Sequence, residues 1–309
     1  MHDNDRGKRN KAKEDALWKE LATQEGAERA DTMVELSHIV FHRGDHQESL
    51  ALCESAREIY ESLGAAGSNS ELVHINQGIA YSLRNLDRHN EAAEAADRAA
   101  SLLREIDPPR AADMLRTEGT FWFSAKEFQR SLDCHLEATN TPDPEMNDYN
   151  YGVDFYNVAI AAARLKKWDL AIEKFLASRE FFKRDKAAYQ VGCTDEELAG
   201  CYVEVGNGVE ALHHAEKALD LANTVIDDDR LYWARLRMGQ AHLLLADFEK
   251  SEEFLQSARD LVARVPVDFE QVIKIDHEMA RLRISQGRVS EGQEILRRVA
   301  TIEETVGEA

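Results

Sequence analysis

The sequence predicts an all-α fold, an α-α superhelix of stacked helical hairpins, and three observations carry that prediction. Glycine (16) and proline (5) are scarce while alanine is abundant, which favours helix over strand. A small residue recurs along the chain at 49, 92, 131, 171, 211, 251 and 292, with successive spacings of 43, 39, 40, 40, 40 and 41. From each of these, positions four and seven further on (Cys53 and Ala56, His135 and Ala138, Leu255 and Ala258) fall on one helical stripe. Such a stripe packs a second helix on the first, and small side chains let the two axes approach closely.

Residues 1–13 are polar, carry Arg6, Lys8, Arg9, Lys11 and Lys13, and are expected to form a disordered tail. Residues 14–26 hold an apolar stripe of Leu17, Trp18, Leu21 and Ala22, expected on a short capping helix. The hairpins then fall at about 30–64, 70–106, 110–141, 150–185, 193–225, 230–264 and 270–305, giving an array over 27–305. The clearest copy runs Leu115-Arg116-Thr117-Glu118-Gly119-Thr120-Phe121-Trp122, a turn ending in Phe128, then Ser131, His135 and Ala138. Gly239, Ala241, Phe248, Ser251, Leu255 and Ala258 repeat it, and Trp168 takes the turn aromatic in the fourth hairpin. In the second hairpin Gly78 and Tyr81 are matched to the first helix, which leaves Ala92 two places late and implies two extra residues there. Pro108, Pro109, Pro142, Pro144 and Pro266 all fall between hairpins, where helices must stop. At the other end, Arg298, Glu303 and Glu304 suggest a last helix that is polar outward.

These segments resemble tetratricopeptide repeats, with a small residue and an aromatic in the first helix, glycine before the turn, and alanines in the second. Gly119, Trp122, Phe128, Ser131 and Ala138 match one repeat, and Gly239, Ala241, Phe248, Ser251 and Ala258 another. Two departures stand out. The family's Trp near the start of the first helix is replaced by Met33, Leu115, Phe155, Asp195 and Arg235, and the period is near 40 rather than about 34. By period alone the array is similar to kinesin light chain, the Pins/LGN adaptors and the peptide-responsive Rap-type regulators of bacteria.

Composition bounds the function. With 38 Lys plus Arg against 58 Asp plus Glu, the net charge is −20, which argues against direct nucleic-acid binding and against an anionic membrane surface. No apolar stretch follows the charged N-terminus and no apolar run approaches the ~20 residues that span a bilayer, so a cytoplasmic location is expected. Cys53, Cys134, Cys193 and Cys201 form no CxxC pair and read as reduced thiols, with Cys193 and Cys201 flanking a first helix as small buried residues.

No phosphate loop, GxGxxG, HExxH or GxSxG motif occurs, so no catalytic residue and no cofactor is expected. Gly206-Asn207-Gly208 is turn chemistry. His213 and His214 point to different sides of a helix, cannot chelate together, and are expected to be plain surface or interface residues. His38 and His42 share a face with Asp31 nearby but lack a clear third ligand, so no metal site is expected. Glu196-Glu197, Asp227 to Asp229 and Glu252-Glu253 read as solvated faces and caps, with Asp227 to Asp229 opening a helix.

Stacked repeats line a channel with their first helices. The resemblance implies that ligand contacts come from first-helix positions not packed on the second helix. These are Arg116, Thr120 and Phe123 in repeat three, and Tyr156, Asn157, Ile160 and Arg164 in repeat four. Glu196, Glu197, Gly200 and Glu204 follow in repeat five, Trp233, Arg237 and Gln240 in six, and Lys274, His277 and Arg281 in seven. Arg116, Asn157 and Arg164 resemble loosely the clamp with which some members grip a C-terminal carboxylate. At its simplest each position is an ordinary solvated one.

The expected function is a non-enzymatic scaffold binding a peptide or protein segment of basic or mixed charge, with self-association through a terminal repeat as an option. The alternative is a peptide-responsive switch similar to the Rap-type receptors. It would call for an effector module, for which the roughly 26 residues before the first repeat leave no room.

Overall fold

The computed structural model describes residues 2–64, 69–141, 143, 145–225, 227–262 and 269–307, with side chains described from residue 11 to 304. Fifteen helices make up the described chain and no strand occurs in it. α1 is His2–Leu21. The first helices of the seven hairpins are α2 (Gly26–Arg43), α4 (Asn69–Asn85), α6 (Pro108–Ser124), α8 (Asp148–Arg164), α10 (Ala188–Glu204), α12 (Asp228–Leu244) and α14 (Phe269–Ser285). The second helices are α3 (His46–Leu63), α5 (His89–Leu103), α7 (Phe128–Asn140), α9 (Trp168–Arg184), α11 (Gly208–Val225), α13 (Phe248–Val262) and α15 (Val289–Gly307). They form two compact units, residues 1–146 and 147–309.

One register governs all seven hairpins: the second helix starts 20 residues after the first. The small residue of each repeat is therefore always the fourth of its second helix, and Ser49, Ala92, Ser131, Ala171, Ala211, Ser251 and Gly292 are all buried. So are Cys53, Ala56, His135, Ala138, Leu255 and Ala258 on the same stripe. Close approach is built on that face. A Cβ added at Gly119 would sit 2.8 Å from the ring of His135 across the hairpin.

The shared register corrects the expected insertion in the second hairpin. Ala80, fully buried, is the counterpart of Gly119, whereas Gly78 faces Cys53 of the preceding helix. The extra residues lie between α3 and α4, not inside the hairpin. The N-terminus also differs from expectation. α1 starts at His2, so the segment expected as a tail is helical, with the helix-forming Lys8, Arg9, Lys11, Ala12 and Lys13 in its second half. Leu17 and Leu21 bury into the core of the first unit, whereas Trp18 and Ala22 turn outward. Pro108 and Pro109 sit in the first turn of α6, where an amide proton is unneeded; Pro142, Pro144 and Pro266 lie outside the described residues.

Every hairpin turns on a residue two places before its second helix, and that residue has positive φ: Gly44, Asp87, Lys126, Lys166, Gly206, Ala246 and Gly287. Four of the seven are not glycine and hold the left-handed conformation against their own Cβ. Ala246→Gly should therefore stabilise the second unit by about 0.5–1 kcal/mol, the relief of steric strain exceeding the added flexibility of the unfolded chain. A urea midpoint that falls would contradict this.

The position that family members give to Trp is used differently here. Asp195 in α10 and Asp276 in α14 occupy it, each 1% exposed. Asp195 accepts from Arg179 of α9 at 2.8 and 3.0 Å and lies 2.5 Å from Nδ1 of His214 in α11. Asp276 is paired with Arg259 of α13 at 3.2 Å and Arg298 of α15 at 3.0 Å. Each aspartate thus ties its helix to the second helix before it and to the one after it. His214 is consequently buried and stacked on Tyr202, not at the surface as expected; His213 is exposed. Arg298 stays exposed, as Glu303 and Glu304 do, while its guanidinium reaches Asp276.

Candidate functional site

In the second unit the first helices α8, α10, α12 and α14, with Trp168 of α9, enclose a cleft of about 430 Å³. Each helix contributes residues four apart, the spacing that keeps side chains on one face. α8 supplies Tyr156, Ile160 and Arg164, and α10 supplies Glu196, Gly200 and Glu204 with Glu197 and Cys201 beside them. α12 supplies Asp229, Arg230, Trp233 and Arg237, and α14 supplies Glu270 and Lys274. α10 touches α12 and α12 touches α14, so these walls are continuous.

The floor is polar and tightly coupled. Glu196 is 7% exposed and accepts from Arg230 at 3.1 Å. Burial pushes its carboxyl up to about 7, with Glu197 adding to the rise and Arg230 opposing it. Glu196 is therefore a buried carboxyl and not the solvated one expected. Trp233 stands between two cations, with Lys274 Nζ 4.5 Å and the Arg237 guanidinium 5.7 Å from the ring centroid. Lys274 also donates to Glu270 at 2.7 Å. Tyr156 packs edge-on against Phe175, centroids 5.4 Å apart, and burial raises its phenol. The Cys201 thiol is pushed up to about 12, chiefly by burial, so it is no thiolate at neutral pH.

A raised carboxyl pKa has a signed consequence. Glu196 contributes stability that is fully present below its unfolded value of about 4.3 and is lost as pH rises to about 7. Between pH 5 and pH 8 the urea midpoint should fall, and Glu196→Gln should remove most of that fall. An unchanged pH slope in the variant would refute the assignment.

Of the residues singled out in the sequence, the cleft brings together Tyr156, Ile160, Arg164, Glu196, Glu197, Gly200, Glu204, Trp233, Arg237 and Lys274. Asn157 is one residue round α8 and points elsewhere. Gln240 is buried beneath the cleft, where it accepts from Arg237 at 3.0 Å and donates to Glu278 at 2.9 Å. Arg281 completes that relay by donating to Glu278 at 2.8 Å. His277 faces Glu303 instead. Arg116, Thr120 and Phe123 belong to the first unit: Arg116 pairs with Asp113 at 2.6 Å, Thr120 donates to the Arg116 carbonyl, and Phe123 packs on Phe128. Sequence reasoning missed Asp229, Arg230 and Glu270 because they lie in the first turn of their helices, about two turns earlier than the positions mapped from repeats four and five.

The first unit has its own first-helix pockets. His38 and His74 line both, one of about 420 Å³ with Asp31, Glu35 and Glu71, and one of about 230 Å³ with His42, Phe41 and Tyr81. Burial lowers the His38 pKa, helped by His42 and His74. Among the described residues no three His, Cys, Asp or Glu side chains come together as ligands for a metal ion.

Residues 190–263 match the model of the tetratricopeptide repeat family. No curated protein sequence matches the chain. Among solved structures it is similar to the apo form of RapI, at 14% identity and a TM-score of 0.61, over 91% of this chain and 99% of that one. It is also similar to a signal transduction ATPase of the STAND class from Pyrococcus horikoshii that carries a tetratricopeptide repeat sensor, at 13% identity and a TM-score of 0.65. That likeness takes in 90% of this chain but 42% of the Pyrococcus protein. A third similarity is to NprR in complex with its cognate peptide NprX, at 16% identity and a TM-score of 0.56, over 89% and 79% of the two chains. At such identities the likeness is one of fold.

Proposed function

We propose that the chain, an all-α array of hairpins whose residues 190–263 match the tetratricopeptide repeat model, acts without catalysis, as a scaffold that binds a peptide or protein segment along its first helices. The observation that carries this reading is the cleft of the second unit. It presents an aromatic ring, Trp233, between alternating cations and carboxylates on four successive first helices. Such a surface suits an extended segment of mixed or basic charge: carboxylates take its cationic side chains, Arg and Lys take its carbonyls, and Trp233 takes an apolar or aromatic group. The cysteine of the same wall, Cys201, is held as a thiol. None of the described helices is long and apolar enough to cross a membrane.

The test is a peptide-display selection on the full chain, followed by calorimetry of the selected peptides. Trp233→Ala should weaken binding at least tenfold, in line with ~2 kcal/mol for an aromatic anchor. Gly200→Ala separates binding from stability. The new Cβ would come 2.8 Å from Arg237 Nη2, displacing the guanidinium from the cleft. Because alanine is the better helix former, stability should hold or rise by up to about 1 kcal/mol while affinity falls. If selected peptides bind both variants as tightly as wild type, the cleft is not the site.

A second reading is a peptide-responsive regulator that sequesters or releases a partner. The likeness to RapI over almost all of that chain, and to NprR holding its peptide, supports it. Small-angle scattering with and without a selected peptide distinguishes the two, since a switch must change dimensions on binding and a scaffold need not.

A further inference from the structure

A further pocket opens in the first unit, built on α5, α6 and α7 and remote in sequence from the cleft. It has a volume of about 250 Å³ and is lined by Glu94, Asp97, Glu118 and Asp133 with Trp122 and Arg130. Glu94, Asp97 and Asp133 are exposed and stand at the mouth. Glu118 is different. It is 6% exposed, its Oε1 accepts from the Trp122 indole at 2.9 Å, and its Oε2 is buried with no hydrogen-bond partner. Burial raises its carboxyl pKa, the Trp122 indole and the neighbouring Cys134 thiol oppose that rise, and the thiol is itself raised by burial and by Glu118.

A buried carboxylate oxygen with nothing better than a thiol, a weak donor, beside it is costly, and native proteins rarely leave one. The shape of the missing donor follows from what surrounds it. Among the described residues no three ligand-type side chains converge as they would on a metal ion, so a compact cation does not fit. The carboxylates are spread over three helices, which suits a cation whose donors are also spread. A guanidinium has five N–H groups in a planar fork on a stem long enough to reach a recessed acceptor. The indole wall fits the same chemistry, for the Arg130 guanidinium already lies 4.0 Å over Trp122. The chain carries −20 overall, which attracts a basic partner to this face.

We propose that this pocket seats an arginine side chain of a partner polypeptide, with Glu118 Oε2 as the buried acceptor and Asp97 and Asp133 at the mouth. The site is independent of the cleft in the second unit, so either assignment can fail without the other.

The experiment follows the indole N–H signal of Trp122, identified by its loss in Trp122→Phe, while the full chain is titrated with an alanine-based pentapeptide carrying one central arginine. The signal should move saturably with this peptide and stay still with the citrulline analogue, which has the same shape without the charge. Glu118→Gln should weaken the arginine peptide at least tenfold. Because that side chain is buried, Asp97→Asn/Asp133→Asn provides a second variant at exposed positions, also expected to weaken binding about tenfold. Equal response to citrulline, or affinity within twofold of wild type in the exposed double variant, overturns the proposal. Displacement of the peptide by spermidine at one tenth of its concentration would assign the pocket to a free polyamine and overturn the partner-borne arginine.

Discussion

Asp195→Ala should destabilise the second unit by about 3–5 kcal/mol, the loss expected when one partner of a buried ion pair is removed and the others stay. Arg179 and His214 are 9% and 5% exposed and would be left without the carboxylate that both face. The three groups come from α9, α10 and α11, so the loss loosens one repeat from the next as well as the hairpin itself. Urea denaturation followed by circular dichroism measures the effect, and a loss under about 1 kcal/mol would mean that the cluster is worth no more than a surface pair. The companion variant Arg179→Met/Asp195→Leu/His214→Leu should recover most of the stability, since apolar residues of similar volume often replace a buried ion cluster without loss. The pH dependence has its own sign. Burial pushes the Asp195 carboxyl up, but the hydrogen bonds and charges of His214 and Arg179 outweigh it and hold the carboxyl below its ordinary value. Its contribution is therefore present above about pH 3.9 and is lost as pH falls through the lower folded value. Asp195→Asn should flatten the acid limb of the stability curve and leave the region above pH 5, where Glu196 acts, unaltered.

Phe175→Ala should cost about 3–5 kcal/mol, the range for deleting a fully buried aromatic ring. Phe175 is 0% exposed on α9 and forms the edge-on partner of Tyr156, 5.4 Å away. The ring therefore supports the cleft from behind. Its removal should weaken selected peptides severalfold even at temperatures where the variant is folded, because Tyr156 loses the surface that orients it. Phe175→Leu, which keeps most of the volume, should retain affinity at about half the loss in stability. Unchanged affinity in a folded Phe175→Ala variant would show that the Tyr156 wall plays no part in binding.

Much of the repeat was legible because its signals are local. The stripe of Ser131, His135 and Ala138 lies within one helix, and a spacing of three or four residues reports burial on one face whatever lies opposite. The left-handed turns at Lys126, Lys166 and Ala246 were hidden, since only glycine announces positive φ. The ion clusters were hidden for another reason. Asp195 meets Arg179 and His214, residues 16 and 19 positions away on neighbouring helices, and no periodicity within α10 distinguishes a buried aspartate from a solvated one.

The cleft divides along the same line. Tyr156, Ile160 and Arg164 on α8 and Glu196, Gly200 and Glu204 on α10 stand at equivalent places in their helices. Carried on to α14, that register selects His277 and Arg281, yet the cleft there takes Glu270 and Lys274 near the helix start. The cleft runs obliquely across the repeats, because each hairpin is rotated on the one before it. By itself, then, the sequence determined the all-α class, the recurrence of the hairpins and, outside the second of them, the face on which each closes, all consequences of helical periodicity acting over a few residues. Which first-helix residues meet, that Glu196 is buried against Arg230, and that Glu118 keeps an oxygen without a donor were decided by the tertiary structure alone. Those features depend on the rotation between neighbouring repeats, a quantity set by packing over some 40 residues that no single helix encodes.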